Sequence, residues 1–534
     1  MRLDSSSRPR STRNNPQKLL FLHPKTLIDS WPTPVDLLGE FIKTPALVYP
    51  LLAAIVEDLP FDVEILDGYV TWEPYYEYKK RLCRADIVCI TVATPLKTLN
   101  TELTVRLIRR LNPRATIVLG GNHASSFPER WIEKGADYVI VKDGERAWRL
   151  LAERLAAGET DVSDVPNLVY RGKGGEPVRT STVLVTEDLD ATPIPLWEAF
   201  DLKPFRAGLG FGGLAASVEV SRGCPYRCDF CNINRYWDYN QRYKSVDRVI
   251  AEMDRLHRLG VRQFIFADDN FAQDVKHTSA LFEKMIERKY GFQFGCFLRA
   301  STVENNPGFA ELAGRAGMRI ALMGLESVDE AWLKEHRKGL KTDDAKATYA
   351  RVYQHLHRGG VTVFGLFIDP GGTPSGYSGS GADGTICDIH VSADLVAQRG
   401  SLLYDNLVKE KRVTKDMFYH DWNMPSMREP DGSLPVREGF AYWAGSMKGT
   451  SLRHVLRGGP TTRRFWGSAI GVVAERMLMS RPSDIQRFRW AIDPNIDPAE
   501  RQKKIVESVL NDDVLDRLVN ATFWKSPLSL RTGF

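Results

Sequence analysis

The sequence predicts an α/β protein in three parts: a doubly wound domain with five parallel strands, an open barrel of six βα units, and a mainly helical C-terminal region. Short apolar runs alternate with longer amphipathic stretches over residues 18–160 and again over 214–420. Residues 161–213, punctuated by Gly and Pro, separate the two series, and beyond about 420 the pattern turns helical. Strands alternating with helices specify parallel sheets. A chain of 534 residues is also too long for one core and divides into about three.

In the first series LLFLHP (19–24), VEILDG (63–68), DIVCITV (86–92), ATIVLGG (115–121) and YVIVKDG (138–144) read as strands. ALVYPLLAAIVEDL (46–59), NTELTVRLIRRL (100–111) and ERAWRLLAERLAA (145–157) read as helices between them. Ligands of such sheets bind beyond the carboxyl ends of the strands. Those ends carry Thr91, Val92, Ala93, Thr94, Gly120, Gly121, Asn122, Asp143, Gly144 and Glu145. Glycines there let the backbone approach a large ligand, although turn formation alone would also explain them. No GxGxxG follows the first strand, which argues against a dinucleotide. The stretch 161–213 is expected to be a linker with one hairpin.

The second series opens with AASVEV (215–220). SVDRVIAEMDRLHRLG (245–260) is then a well-marked helix: Ser245 caps it, Val246, Val249, Ile250, Met253 and Leu256 form one stripe, and Gly260 stops it. RQFIFADDN, FQFGCFLRA, MRIALMGLES and VTVFGLFI continue as strands, with a sixth near ICDIHV (386–391). Functional groups of βα barrels sit at the carboxyl ends of the strands.

Composition narrows the function. A formal net charge of +5 permits an anionic cofactor but does not indicate nucleic acid. No apolar run reaches the roughly 18 residues of a membrane span; the nearest, GSAIGVVAERMLM (467–479), contains Glu475 and Arg476. The basic, Ser-rich start lacks the apolar core of a secretory signal, so residues 1–17 are expected to be a disordered tail on a cytoplasmic protein. Seven cysteines are too few for a disulfide scaffold in a chain this long.

Three of them, Cys224, Cys228 and Cys231, lie within SRGCPYRCDFCNINRYW (221–237), on the loop leaving the first barrel strand. Structural zinc closes its shell with four ligands, usually as C-x2-C pairs, and would need Cys296, Cys387 or a histidine as the fourth. A [4Fe–4S] cluster held by three thiolates instead keeps one iron open for a substrate or cofactor. The spacing C-x3-C-x2-C and the single loop favour the cluster.

This pattern resembles the signature of the radical S-adenosylmethionine (SAM) superfamily. The resemblance implies that the open iron chelates the amino and carboxylate groups of SAM and that one electron cleaves the sulfonium to methionine and a 5′-deoxyadenosyl radical. By position it implies that Cys224, Cys228 and Cys231 hold the cluster and that Phe230 lies near the adenine. It further implies that Asp268, Asp269 and Asn270 hold the SAM amino group, and that Arg299, Glu326 and Ser327 contact its carboxylate and ribose. A barrel-mouth salt bridge is the simpler role for Arg299 or Glu326. Adjacent carboxylates such as Asp268 and Asp269 need a cationic partner.

A five-stranded parallel domain directly ahead of such a barrel resembles the cobalamin-dependent class of the superfamily, over residues 18–420. The class implies a Rossmann-like cobalamin-binding domain at the front, with cobalamin facing SAM. Its usual reaction is methyl transfer to an unactivated carbon or a phosphinate phosphorus, one SAM supplying the methyl group and a second the radical. The D-x-H-x-x-G cobalt ligand of many cobalamin domains is missing from residues 1–160, and Asp388-x-His390 lies in the barrel with Ala393 in place of the glycine. His23 and His123 read as turn residues, and Tyr69 or Trp72 as candidates to cover the lower face.

The helices beyond 420 are expected to close the barrel opening and shape the substrate pocket. The arginines of 453–466 read as an exposed helix end, and the Gly/Ser-rich insert 370–384 as a mobile loop. The expected activity is methylation of a small-molecule metabolite, with a flavodoxin or ferredoxin as electron donor. Competing readings are a cobalamin-dependent oxidative cyclase, a methylthiotransferase, and a non-enzymatic metal module. The methylthiotransferase would need a second cysteine triplet, which Cys83 and Cys89 do not make.

Overall fold

A computed structural model of the chain describes residues 16–25, 44–68, 74–94, 97–183, 188–206, 212–340, 342–369, 385–414, 416–419 and 497–521. The front unit runs β1 (Gln17–His23), α1 (Val48–Ile55), β2 (Phe61–Asp67), α2 (Tyr75–Arg84), β3 (Ile87–Thr91), α3 (Thr98–Leu111), β4 (Thr116–Gly120), α4 (Asn122–Ser126), α5 (Pro128–Glu133), β5 (Tyr138–Ile140) and α6 (Glu145–Ala157). The five strands are parallel in the order 2-1-3-4-5, as the alternation predicts. Chain direction across the sheet reverses between β1 and β3, so the crevice beyond their carboxyl ends is the natural ligand position. Helix α2 was not legible from the sequence; Tyr75, Tyr78 and Leu82 bury its inner face at helical spacing.

The linker does more than connect. Its hairpin, β6 (Leu168–Arg171) and β7 (Pro177–Arg179), extends the front sheet antiparallel beyond β5. After it, Trp197, Phe200 and Phe205 are buried in one core with Phe21 and Trp148 of the front unit and Ala216 and Val218 of the barrel. Each such side chain stabilises the joint by about 1.5–3 kcal/mol.

The second unit contains β8 (Leu214–Val218), β9 (Ser221–Gly223), α7 (Ile233–Tyr236), β10 (Gln241–Tyr243), α8 (Val246–Arg258), β11 (Val261–Phe266), α9 (Val275–Arg288) and β12 (Gln293–Leu298). It continues with α10 (Ala300–Glu304), α11 (Phe309–Ala316), β13 (Met318–Glu326), α12 (Glu330–Glu335), α13 (Ala345–Arg358), β14 (Thr362–Asp369), β15 (Ile389–Asp394) and α14 (Leu402–Lys409). Six parallel strands in the order 8-11-12-13-14-15 form the open barrel sheet. Ser245 caps α8 by accepting from the Arg248 N–H, and the predicted stripe residues Val249, Ile250, Met253 and Leu256 are buried.

Of the region beyond 420 that was expected to close the barrel opening, the structure describes residues 497–521. Among the described residues, α15 (Pro498–Val509) and α16 (Asp512–Asn520) pack on the front unit, not over the barrel. Leu510, Val514, Leu515 and Leu518 share a core with Leu103 and Leu107 of α3. Tyr75 Oη donates to the Leu518 carbonyl at 3.1 Å, and Arg106 to that of Leu510 at 2.8 Å. The amphipathic pattern of 498–519 marks a buried face but cannot say which domain buries it. The readings for 370–384, 453–466, Tyr69 and Trp72 fall outside the described residues.

Candidate active site at the domain junction

The three cysteines lie between β9 and α7, and the antiparallel pair β9–β10 closes the base of their loop. Gly223 opens it with φ +99°, and a side chain there would strike the Asn240 carbonyl. Cys228 is buried, while Cys224 and Cys231 are partly open. Burial pushes the Cys231 thiol up to about 12 and raises Cys224 as well; in both, the neighbouring thiols add repulsion between negative charges. Among the described residues no three His, Cys, Asp or Glu converge to hold a single metal ion. An iron centre would reverse the protonation of the thiols.

The barrel strands supply the surroundings. Arg299, at the end of β12, lies over the Tyr226 ring at 3.5 Å, reaches within 3.9 Å of Cys228 Sγ, and donates to the Lys338 carbonyl. Its Nε is buried with no partner among the described residues, an orphaned donor. Glu326 ends β13 at φ +65° and accepts from Lys338 Nζ at 2.7 Å, the barrel-mouth salt bridge weighed for it above. Ser327 is fully buried and accepts from the Asp329 N–H at 2.8 Å. Phe230 stacks on Trp332 at 6.0 Å, and Asp229 beside it meets His336 Nδ1 at 2.9 Å.

The acidic pair at the end of β11 turns back on its own chain. Asp268 is buried and accepts from the Val220 N–H at 3.1 Å, the Ser221 hydroxyl at 2.6 Å and the Ser221 N–H. Burial outweighs these donors and pushes its carboxyl up to about 7. Asp269 accepts from the Gly223 N–H at 3.1 Å and Trp237 Nε1 at 3.0 Å. The cationic partner expected for these carboxylates is therefore replaced by neutral donors of the cysteine loop, which they hold in place. Asn270 is buried with its Oδ1 unpartnered among the described residues.

On the front unit, the predicted edge divides. The Val92 N–H donates to Gly120 at 2.7 Å, and the Val92 carbonyl accepts from the His123 and Ala124 N–H groups, so Val92 anchors α4. Gly121 has φ +101°, and a Cβ there would stand 2.8 Å from the Val92 carbonyl oxygen. Thr91 packs its methyl close to this turn, while Thr94 is exposed. Asn122 Oδ1 accepts from Asn232, the residue after Cys231, at 3.3 Å. Gly144 precedes α6 with an ordinary φ of −102°. Glu145 and Asp143, both largely buried, each accept from Arg222 Nη1 at 2.7 Å, because a buried carboxylate requires a cation.

Neither front-unit histidine is free to ligate cobalt. His23 is held by Asp67 at 3.1 Å and Lys97 at 2.5 Å. His123 is buried against Thr98 and the Phe418 carbonyl, where desolvation lowers it to about 4 and keeps it neutral. His390 stacks on Phe367 at 4.3 Å, and Asp388 is engaged by His357, Tyr353 and the Val363 N–H, so this pair serves the barrel. Cys83 is exposed on α2 and Cys89 buried in β3, too dispersed for a second triplet. The sequence reading missed Arg222, Arg242, Trp237, Asn232 and Lys338. Only the position of Arg222, two residues before Cys224, offered a signal.

Through Asn122 and Asn232, the carboxyl-end edge of the front parallel sheet meets the cysteine loop of the six-stranded barrel. Comparison with known families agrees: residues 43–152 match the B12 binding domain and 218–375 the radical SAM superfamily. The chain belongs to the cobalamin-binding class of the radical SAM superfamily, which makes a [4Fe–4S] cluster, SAM and cobalamin its cofactors. An uncharacterized methyltransferase of Pyrococcus horikoshii is 27% identical over 305 residues, covering 55% of this chain and 64% of that one. Cytidylyl-2-hydroxyethylphosphonate methyltransferase of Streptomyces wedmorensis is 26% identical, covering 61% and 69%. An anaerobic magnesium-protoporphyrin IX monomethyl ester cyclase of Synechocystis is 29% identical, covering 48% and 50%. The chain thus spans from half to about two thirds of these relatives' own lengths. The structure of the methyltransferase TsrM of Kitasatospora setae, with cobalamin and a [4Fe–4S] cluster bound, superposes with a TM-score of 0.58 at 16% identity, over 94% of this chain and 99% of that one, which establishes the shared fold.

Proposed function

We propose that this chain methylates an unactivated carbon of a small-molecule metabolite, with electrons from a flavodoxin- or ferredoxin-type donor. The observation that carries the reading is the hydrogen bond from Asn232, next to Cys231, to Asn122 on the front-sheet edge: it supports a cobalamin edge lying beside the cluster loop. Cysteines 224, 228 and 231 would hold the cluster, and Thr94, Gly120, Gly121 and Asn122 would border cobalamin through backbone and small polar groups. When bound, these groups supply one-electron cleavage of SAM and a transferable methyl group.

The chain's own residues would prepare the site. Arg299 directs an N–H toward Cys228 and so favours added negative charge on that ligand. Asp268 and Asp269 fix the loop from below, and Phe230 with Trp332 walls one side with apolar surface that excludes water. Among the described residues, Asn270 Oδ1 and Arg299 Nε are buried without a partner, as are Asn234 Oδ1 and Gln241 Oε1 near the loop, and a polar ligand would satisfy such groups.

The named methyltransferases among the relatives support methyl transfer, and the cyclase keeps oxidative cyclisation as the second reading. Anaerobic reconstitution with iron, sulfide and hydroxocobalamin, followed by SAM and a reductant, separates them. S-adenosylhomocysteine formed together with 5′-deoxyadenosine is expected. 5′-Deoxyadenosine alone favours cyclisation, and neither nucleoside contradicts both.

A further inference from the structure

Arg222 occupies a position that cluster ligation does not explain. Its side chain is only 11% exposed, and its guanidinium is divided between the two units. Nε and Nη2 form a fork on Glu219 at 3.0 Å each, while Nη1 donates to Asp143 and Glu145 of the front unit at 2.7 Å each. Directly opposite Arg222 in the β9–β10 ladder stands Arg242, and like charges so placed repel. Asp143 removes the conflict: its second oxygen accepts from Arg242 Nη2 at 2.6 Å, so one carboxylate from the front unit sits between two arginines of the barrel. The Trp237 ring lies 5.7 Å from one guanidinium and 5.5 Å from the other, and its Nε1 is tied to Asp269. The hairpin is therefore a receptor whose charge is completed by docking of the front unit.

The connection to chemistry is geometric. β9 and β10 bracket the segment holding all three cysteines, so moving the hairpin moves the cluster loop. Asp143 and Glu145 flank Gly144, at the end of the fifth strand of the front sheet. We propose that Arg222 is a positioning residue that fixes the front unit in register on the cysteine loop, and thereby couples SAM cleavage to the step that needs cobalamin. This rests on the methyl-transfer reading above. Arginine is required because its planar fork meets three carboxylates at once, whereas a lysine ammonium acts as a point charge.

The test compares reconstituted holoenzyme with Arg222→Gln and Arg222→Lys, the latter included because the glutamine variant removes one of the cations that neutralise the buried carboxylates. Iron, sulfide and cobalamin contents are measured first, then both nucleosides, then amide exchange across 138–146 and 221–243. Cofactor contents should match the wild type. The ratio of S-adenosylhomocysteine to 5′-deoxyadenosine should fall about tenfold or more in the glutamine variant and less in the lysine one, because a small misplacement penalises only the step that spans the units. Exchange should quicken in both segments together. An unchanged ratio in Arg222→Gln, exchange quickened in one segment alone, or proportional loss of both nucleosides with loss of iron would overturn the assignment. If the wild type forms no S-adenosylhomocysteine, methyl transfer fails as a reading, and the paired exchange response still decides whether Arg222 joins the units.

Discussion

On the barrel side of the site the candidate groups are side chains: three thiols, the Arg299 guanidinium over Tyr226, and the Phe230–Trp332 stack. On the front-sheet side they are mostly backbone and small residues: the positive-φ Gly121, the Val92 carbonyl capping α4, and Asn122. The difference follows from what each surface would hold. A cluster is held by bonds to a few atoms, so it demands particular residues at a particular spacing. A broad flat cofactor is held by shape and many weak contacts, so it demands room for the backbone to come close.

That contrast can be broken from either side. The largest effect is expected from replacing any one of Cys224, Cys228 or Cys231 with alanine: iron-dependent absorbance and SAM cleavage should vanish, while cobalamin is still retained on the front unit. The mirror experiment is Gly121→Val. Its side chain would meet the Val92 carbonyl and force a strained backbone at a cost of about 1–3 kcal/mol. Cobalamin retention should fall while the cluster still assembles, and equal loss of both would erase the distinction between the two surfaces.

Arg299→Gln sharpens the barrel side. Removing a cationic donor 3.9 Å from Cys228 Sγ should make the cluster potential more negative and slow SAM cleavage by about 10- to 100-fold, readable by a redox titration and by 5′-deoxyadenosine formation. An unshifted potential would leave Arg299 its structural contacts alone, to the Tyr226 ring and the Lys338 carbonyl.

The smallest effect concerns Asp268. Its folded carboxyl is raised to about 7 by burial, above the roughly 3.9 of an unfolded chain. The folded state therefore binds the proton more tightly. The associated stability is fully present below about pH 4 and is lost as pH rises through about 7. Denaturant titrations should show this decline in the wild type and a flatter profile in Asp268→Asn.

The same contrast explains what could be read in advance. All five front strands and all six barrel strands were legible because most are short apolar runs buried in the sheet, as in β1 and β3, while the edge strand β2 still alternates apolar with charged residues. The thiols were legible because ligation fixes their spacing. β9 and β10 were not, being three residues each and stabilised by a ladder that closes only across the cysteine loop. Glu145 and Asp268 have the residue type and position of ligand contacts, yet their partners, Arg222 and Ser221, lie 77 and 47 residues away, beyond the reach of local pattern. Helices α15 and α16 showed their apolar stripes but not that α3 would receive them.

The most direct test of the claim that the cysteine loop and the front-sheet edge form one site is magnetic. Electron paramagnetic resonance would be recorded on anaerobically reconstituted protein holding cob(II)alamin, before and after reduction of the cluster. Two paramagnets held against the same junction should broaden or split each other's signals, and Cys228→Ala should abolish the effect. A cob(II)alamin signal indifferent to reduction, in protein with both cofactors fully loaded, would contradict it.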